Sequence, residues 1–499
     1  MRFTARGHLW KVLGISLLLS TFGMAQEQKS SLPNVLIILA DDLGVGDLSG
    51  LNPESKISTP NVDKLIKEGL VFSDAHSASS IGSLSRYGLM TGRYCWRTDS
   101  SHHTLMGFDL PLIPEGRWTL GELFGRKGYR SAYLGSWGLG LGWVTKDGKK
   151  GEWEPGYSGT GESLNIDFAK PVHGGPTALG FDYFYGVAGS LDKPPYAYIE
   201  NDTTVGIPYT VSRAGGRSGL TVEGFRVVEV MPNLTEKTVS FLKRHAKKIK
   251  ESDDPVEPFF LVLSMTAPHV PFVPAEGVAG TTEAGRYGDS VAMVDWSLGQ
   301  VLKSLEKQGF AKDTLVVFTS DNGSAKSNEE MVEAFGHRPG GKFKGKKGDA
   351  WEGGHRVPFV VKWPGVVEPG KTNAVISQTD LFATFAQMLE MPLGENVAED
   401  SLSFYPLLRG QKSEDLPRSS IIHYAAQGRF AIREGKWKLI LPPEHVPAGI
   451  EKETSGELYN LESDLSEESN LWQNQPALVE RLRKLLEKYR TFDRTRESS

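Results

Sequence analysis

Two clusters of polar side chains follow apolar segments that have the length of buried strands. Residues 35–40 read Val-Leu-Ile-Ile-Leu-Ala and run directly into Asp41 and Asp42. A second apolar run, far downstream, ends in Asp321 and Asn322. Open α/β sheets place their sites at the carboxyl ends of strands, where gathered carboxylates repel one another unless a cation lies among them. Oxygen ligands favour a hard ion such as Ca²⁺ or Mg²⁺ over zinc, so the pattern indicates a metal site; turn and capping residues would explain either cluster alone.

The elements around these clusters alternate between apolar strands and amphipathic helices. Pro60 begins a helix that Gly69 ends, and a longer helix with one apolar face is predicted near residues 287–307. Buried strands are predicted at residues 35–40, 129–134, 259–265, 315–320 and 357–363. This alternation predicts an α/β fold with a large, mostly parallel sheet sandwiched by helices. The Gly- and Pro-rich segment 140–224 is expected to form long loops over the sheet.

The chain changes in character after about residue 400. Short strands near residues 421–424, 430–433 and 437–441 predict a small antiparallel sheet, and a leucine-rich helix follows near the end of the chain. We therefore expect a main α/β domain at residues 26–400 and a C-terminal α+β subdomain at residues 401–499.

Residues 1–25 have the features of a secretory signal peptide. Arg2, Arg6 and Lys11 precede an apolar run at residues 12–22, and small residues follow that run. The run is too short to span a bilayer, and a buried N-terminal helix is the alternative. We expect an exported protein, periplasmic or secreted, with no membrane span after signal removal. The net charge of −5 shows no basic excess, so the composition gives no reason to propose nucleic acid as a partner.

Several further blocks, in order along the chain, resemble the type I sulfatases of the alkaline-phosphatase superfamily. The acidic segment Asp41-Asp42-Leu43-Gly44-x-Gly46-Asp47 is similar to the opening of that family. The later blocks are Thr59-Pro60-Asn61-Val62-Asp63, Asp321-Asn322-Gly323, Gly345-x-Lys347-Gly348-x-x-Trp351-Glu352-Gly353-Gly354 and Glu457-Leu458-Tyr459-Asn460-Leu461. The resemblance runs from about residue 33 to residue 489, and it implies an alkaline-phosphatase-like sheet.

The resemblance also implies a chemistry and a set of site residues. Such sulfatases oxidise a cysteine or serine to formylglycine, whose hydrate attacks the sulfur of a sulfate ester beside a divalent cation, usually Ca²⁺. By similarity, one Ca²⁺ per chain would be held by Asp41, Asp42, Asp321 and Asn322. Arg86 would steady the nucleophile, and Lys347 would bind a sulfate oxygen.

Two residues of the implied substrate site come from other loops. His269, in Ala267-Pro268-His269, would contact the substrate and protonate the leaving alcohol, although a turn residue before a proline is the alternative. Ser190, in Gly189-Ser190-Leu191-Asp192, resembles a sulfate contact of the family. A sulfated small molecule or a sulfated glycan is the implied partner.

The sequence departs from the family at three catalytic positions. The nucleophile position is Gly82, where formylglycine cannot form because glycine has no side chain to oxidise. The family's Gly-Lys-Trp-His-Leu-Gly block reads Gly135-Ser136-Trp137-Gly138-Leu139-Gly140, so a sulfate-binding lysine is replaced by Ser136 and an assisting histidine by Gly138. Losing one such group typically costs about 10²–10⁴ in rate.

Three functions fit this combination. The first is a catalytically impaired sulfatase that binds Ca²⁺ and sulfate esters in its retained pocket. The second is an active sulfuric or phosphoric ester hydrolase with an unusual nucleophile, such as Ser83 or metal-bound water. The third is a structural or partner-binding pseudoenzyme. The retained Arg86, His269 and Lys347 favour a pocket that binds an anion.

Overall fold

The structure is a computed structural model that describes residue 1 and residues 32–98, 104–148, 165–251, 257–412, 416, 418–446 and 454–496. The signal peptide predicted for residues 1–25 lies, apart from residue 1, outside these described residues. Within the described part of the chain, no helix has both the length and the apolar character needed to cross a bilayer.

A ten-stranded sheet forms the centre of the protein. Its strands are β1 (Asn34–Ala40), β2 (Leu70–His76), β3 (Arg130–Ser136), β4 (Tyr183–Val187), β5 (Ile199–Glu200), β6 (Thr203–Thr204), β9 (Phe259–Ser264), β10 (Thr314–Ser320), β11 (Phe359–Lys362) and β12 (Gly370–Ser377). A separate two-stranded sheet contains β7 (Thr210–Ser212) and β8 (Gly219–Thr221). The order in the large sheet is β12-β2-β11-β10-β1-β9-β3-β4-β5-β6. Neighbours from β10 through β4 run parallel, while β11 is antiparallel to both β10 and β2. The predicted fold class is confirmed.

Helices pack on both faces of this sheet. They are α1 (Pro60–Glu68), α2 (Gly82–Thr91), α3 (Leu120–Gly125), α4 (Val227–Glu251), α5 (Gly285–Gln308), α6 (Asn328–Phe335), α7 (Glu352–His355), α8 (Asp380–Met388) and α9 (Tyr405–Leu408). Successive residues of a strand face opposite sides of a sheet. Ile37 of β1 accordingly belongs to a different apolar core from Ile38, and both are fully buried. This two-sided burial explains why β1 contains an uninterrupted apolar run.

The C-terminal part forms the predicted antiparallel sheet. Its strands are β13 (Ser420–Ala425), β14 (Arg429–Glu434), β15 (Trp437–Ile440) and β16 (Glu457–Asn460). Helix α10 (Pro476–Thr491) contacts β14 and β15 and buries Leu482 and Leu486. The domain boundary near residue 400 stays a prediction.

The described residues within segment 140–224 contain more regular structure than the predicted loops. Strand β4 pairs with β3 in parallel and extends the large sheet, and β5 to β8 follow it. The loop prediction was therefore wrong for β4 to β8, which form strands. The short β4 run of Tyr183–Val187 lies between turns at Gly180 and Gly189, and the many turn residues obscured its strand pattern.

Candidate active site

Strand pairing brings the two predicted acidic clusters together. Ala40 and Ser320 are register partners at the ends of β1 and β10, so Asp41 and Asp321 emerge side by side. The backbone N–H of Asp42 donates to Asp321 Oδ1 at 3.1 Å. Asp42 itself has a φ of 71°, a left-handed conformation that turns the chain directly after the strand.

Asn322 completes this acidic cluster and leaves an acceptor oxygen free. Its Nδ2 donates to Asp42 Oδ1 at 2.7 Å, while its buried Oδ1 has no hydrogen-bond partner. Buried polar atoms are nearly always satisfied, and an orphaned acceptor beside three buried aspartates fits a cation ligand. The residues present therefore fit a hard divalent ion: Asp41, Asp42, Asp321 and Asn322 offer only oxygens, and all four are buried.

Two cationic side chains partly neutralise the acidic cluster. Arg86, in the fully buried helix α2, donates from Nε to Asp321 Oδ2 at 3.0 Å, and its Nη2 lies 3.2 Å from Asp41 Oδ2. Lys347 Nζ lies 2.7 Å from Asp42 Oδ1 and 2.9 Å from its Oδ2. Both predicted basic residues thus converge on the predicted acidic ones.

Two aspartates of the acidic cluster have pKa values that are shifted in opposite directions. Burial, followed by the charges of Asp41 and Asp42, raises the pKa of Asp321 to about 6 despite the Arg86 guanidinium. Burial alone would raise the pKa of Asp42 as well, but the charges of Lys347 and His269 hold it below its usual value. Carboxylates held this close favour a bound cation, because each remaining negative charge destabilises the next.

His269 and Ser190 border the acidic cluster from two loops. His269 Nε2 lies 3.7 Å from Asp42 Oδ2, and its Nδ1 lies 2.7 Å from the carbonyl oxygen of Val270. Ser190 Oγ donates to Asp41 Oδ2 at 3.4 Å. Both predicted substrate contacts are therefore present at the acidic cluster, and their roles stay predictions.

Gly82 occupies the position that faces the acidic cluster. It is the first residue of α2, and a β-carbon built on it would lie 2.7 Å from Asp321 Oδ2 and 3.4 Å from Asn322 Oδ1. A side chain at residue 82 would thus point at the proposed metal ligands, but glycine places no atom there. The neighbouring Ser83 Oγ instead accepts a hydrogen bond from the Leu105 N–H at 3.2 Å, so this hydroxyl is engaged by a different loop.

The other two departures from the family lie beside Arg86. The carbonyl oxygen of Ser136, the last residue of β3, accepts from Arg86 Nη1 at 2.9 Å, while its buried Oγ has no partner. A β-carbon on Gly138 would lie 3.4 Å from Arg86 Cδ, and Gly138 has a φ of +69°. The three substituted positions are therefore clustered in space.

Sequence reasoning missed two charged residues near this site. Asp192 Oδ1 lies 3.8 Å from His269 Nδ1, and the adjacent Lys193 is buried with its charge in electrostatic reach of Lys347, Asp41 and Arg86. They lie two and three residues after Ser190, so the Gly189-Ser190 motif was the available signal. A loop lysine has no periodicity that would have marked it as buried.

A second buried polar cluster lies away from the acidic site. It contains His76, Glu352, His355 and His423, whose possible ligand atoms lie within 4.8 Å of one another. Lys438 Nζ occupies this group, 2.9 Å from Glu352 Oε1 and 3.0 Å from His355 Nε2. The ammonium therefore already provides the positive charge that a metal ion would bring.

The architecture and the acidic site at the carboxyl edge of its sheet define a member of the alkaline-phosphatase superfamily. The sequence model of the family "Sulfatase" matches residues 33–391, and that of "N-sulphoglucosamine sulphohydrolase, C-terminal" matches residues 346–492. This chain belongs to the type I sulfatase family. The predicted family is confirmed.

Individual relatives agree with this assignment. An N-acetylgalactosamine-6-O-sulfatase of Bacteroides thetaiotaomicron is 31% identical over 93% of this chain and 94% of its own length. The human steryl-sulfatase is 30% identical over 84% of this chain and 76% of its own length. A solved structure from work on glycosaminoglycan metabolism by Bacteroides thetaiotaomicron superposes with a TM-score of 0.79 at 29% identity, covering 93% of this chain and 100% of that one.

Proposed function

We propose that this protein binds a divalent cation, most readily Ca²⁺, and the sulfate group of a sulfated glycan, with little or no hydrolysis. The observation that carries the proposal is the geometry at Gly82. The retained acidic and basic side chains converge on one buried point, and the residue that faces it from α2 has no side chain.

The metal half of the site supports cation binding. Asp41, Asp42, Asp321 and Asn322 would hold the ion, and Asn322 Oδ1 is an acceptor without a protein donor. When bound, such an ion would neutralise the carboxylates and attract a sulfate oxygen. Lys347 and His269 would contact the remaining sulfate oxygens, because both lie against Asp42.

The catalytic half is depleted. No formylglycine can form at Gly82, and the Ser83 hydroxyl is bonded to the Leu105 N–H rather than directed at the metal ligands. Ser136 and Gly138 provide neither the ammonium nor the imidazole that the family uses. These losses support an impaired enzyme over an active hydrolase with a substitute nucleophile.

The similarity to an N-acetylgalactosamine-6-O-sulfatase supports a sulfated amino sugar as the ligand. We propose export to the periplasm or the cell exterior, in line with the signal peptide predicted at residues 1–25. Sulfated polysaccharides are extracellular materials, so an exported protein would meet them.

The test begins with protein treated with a chelator and then dialysed. Adding Ca²⁺ should raise its thermal unfolding temperature, and N-acetylgalactosamine 6-sulfate should then bind by calorimetry only in the presence of Ca²⁺. Asn322→Leu should abolish both effects, while Asp313→Asn, an exposed acidic residue, should change neither. Hydrolysis of 4-nitrophenyl sulfate or phosphate that His269→Ala abolishes would support the active hydrolase instead. Absence of any response to Ca²⁺ and to the sulfated sugar would favour the structural pseudoenzyme.

A further inference from the structure

Lys193 is a buried cation with no close counter-ion. Lys193 is 7% exposed, and no ion pair or side-chain hydrogen bond to it occurs among the described residues. Only its backbone N–H is engaged, donating to the Ser190 carbonyl oxygen at 2.9 Å. Burying an ammonium without a partner is costly, and a bound anion would supply the missing counter-charge.

The turn that contains Lys193 lies against the acidic site. Ser190 Oγ lies 3.4 Å from Asp41 Oδ2, and Asp192 Oδ1 lies 3.8 Å from His269 Nδ1, so two residues of this four-residue turn contact predicted site residues. Gly189 allows the lysine stem to fold back over the turn. A β-carbon at Gly189 would lie 3.2 Å from Lys193 Cδ, closer than an ordinary carbon contact.

The charges around Lys193 come from three separate parts of the chain. After Asp192, its strongest electrostatic neighbours are Lys347, Asp41 and Arg86. Lys193 is therefore within electrostatic range of two other cations, Lys347 and Arg86, and both of these contact the proposed metal ligands. Burial lowers the pKa of Lys193, and the positive charges of Lys347 and Arg86 lower it further against the opposing carboxylates. A bound anion would relieve this repulsion, because its charge is opposite to all three.

The position of Lys193 also bears on the positive charge that the pocket lacks at Ser136. Ser136, where the family has a lysine, offers a buried hydroxyl with no partner and no charge. We propose that Lys193 is an anion-binding residue of this pocket and supplies, from the loop after β4, the ammonium that is missing at Ser136. Its ligand is the tetrahedral oxyanion of a sulfate ester. This inference rests on the proposed function, since it names another contact for the same sulfate group.

The substitution Lys193→Met tests this role because methionine keeps the apolar stem and removes the charge. We expect at least a tenfold weaker affinity for N-acetylgalactosamine 6-sulfate in calorimetry with saturating Ca²⁺. The affinity for Ca²⁺ itself should stay equal or increase, because a positive charge near Asp41 is removed. Lys193→Arg should keep most of the affinity for the sugar, since the charge remains. Lys170→Met, an exposed lysine elsewhere, is the matched control and should bind as the unmodified protein does.

The outcomes separate this inference from the proposed function. If the unmodified protein binds no sulfated sugar, the proposed function fails. If it binds and Lys193→Met binds equally well, only the role of Lys193 fails. Loss of binding in Lys193→Arg as well as Lys193→Met, together with a lower unfolding temperature of both ligand-free variants, would show a packing role and overturn the inference.

Discussion

Gly82 faces the acidic cluster, and the proposed function treats it as an empty nucleophile position with two further substituted positions, Ser136 and Gly138, near it. A side chain restored at residue 82 would meet Asp321 and Asn322. It would still lack the ammonium and the imidazole that the sequence resemblance leads us to expect at residues 136 and 138. Catalytic groups that act as a unit are strongly non-additive, so a single replacement restores little.

We therefore expect Gly82→Cys, co-expressed with a formylglycine-generating enzyme, to hydrolyse 4-nitrophenyl sulfate no faster than the unmodified protein. The triple variant with Ser136→Lys and Gly138→His should gain at least about 10²-fold over Gly82→Cys, the typical effect of one general acid or oxyanion donor. Mass spectrometry of the peptide containing residue 82 verifies that the aldehyde was formed. A single variant as active as the triple one would contradict this account.

The backbone conformation of Gly138 makes the Gly138→His substitution of the triple variant costly. Its φ of +69° lies in the left-handed region, which costs roughly 1–2 kcal/mol for residues other than glycine. Gly138→His should therefore lower the free energy of unfolding by about that amount in urea titrations. Gly394→Ala is the control, because this exposed glycine lacks a positive φ and has open space around it. Equal stability of Gly138→His and the unmodified protein would mean that the backbone at this position relaxes.

At the level of elements, the buried strands and the long helices were predictable because their apolar patterns are local. β1 and α1 occur within one residue of their predicted positions. The antiparallel direction of β11 was not predictable, since a fully buried strand has the same composition in either orientation. The residues of the short strand β16 were identified in the sequence only as a family motif. They were not predicted as a strand, because β16 pairs with β15, which lies about twenty residues earlier in the chain.

Lys438 of β15 joins the C-terminal sheet to α7. Its fully buried ammonium lies 2.9 Å from Glu352 Oε1 and 2.8 Å from Glu467 Oε1. Glu352 and Glu467 share the single ammonium of Lys438, and their pKa values are shifted in opposite directions. The charge of Lys438 overcomes burial and holds the pKa of Glu352 well below its usual value, whereas burial raises the pKa of Glu467 to about 7.

We expect Lys438→Met to lower the free energy of unfolding by about 3–5 kcal/mol, because it leaves buried carboxylates without their counter-charge. Adding Glu467→Gln should recover part of this loss, since one of the stranded charges is then removed. Lys436→Met, at an exposed position two residues earlier, should change stability by less than about 0.5 kcal/mol. Chemical denaturation followed by tryptophan fluorescence measures all four proteins. A Lys438→Met variant as stable as the Lys436→Met control would exclude the buried ion network as a stabilising element.

At the level of the whole molecule, the site is assembled from segments that are far apart in the sequence. Asp42 and Lys347 are 305 residues apart in the chain, and Asp42 and Asn322 are 280 apart. The strand ends made the meeting of the acidic clusters predictable, because parallel neighbours share an edge. Nothing local in the sequence predicted that Arg86 and Lys347 would reach them; only the family resemblance did. Lys193 was missed by both approaches, since its burial follows from tertiary packing.

The packing of the whole molecule also encloses three histidines whose charge states differ between the folded and unfolded chain. Burial is the largest cause in each case, and it lowers the pKa of His76 and holds the pKa of His355 and His423 well below the usual value. His423 stacks on His355 with ring centroids 3.7 Å apart, and neither of its ring nitrogens has a hydrogen-bond partner.

The sign of the pH dependence follows from these directions. The folded protein keeps the three histidines neutral, while the unfolded chain takes up protons below about pH 6.5. Their contribution therefore disfavours folding as the pH falls below that value. Glu467 acts in the opposite direction, because its pKa in the folded protein is raised to about 7. Its stabilising contribution is therefore present at low pH and is lost as the pH rises through about 7. Asp321, whose folded pKa is raised to about 6, acts in the same direction as Glu467. Three histidines against two carboxyl groups predict a net loss of stability on acidification.

We therefore expect the free energy of unfolding to fall between pH 7.5 and pH 5.5. His423→Phe should reduce this fall by up to about 1.4 kcal/mol, the linkage limit for one group titrating over one pH unit. Phenylalanine keeps the ring stacked on His355 and removes the titrating nitrogens. His173→Asn, at an exposed histidine, should leave the fall unchanged. Urea unfolding at both pH values measures the difference, and an equal fall in His423→Phe and His173→Asn would show that the buried histidine stack does not govern acid sensitivity.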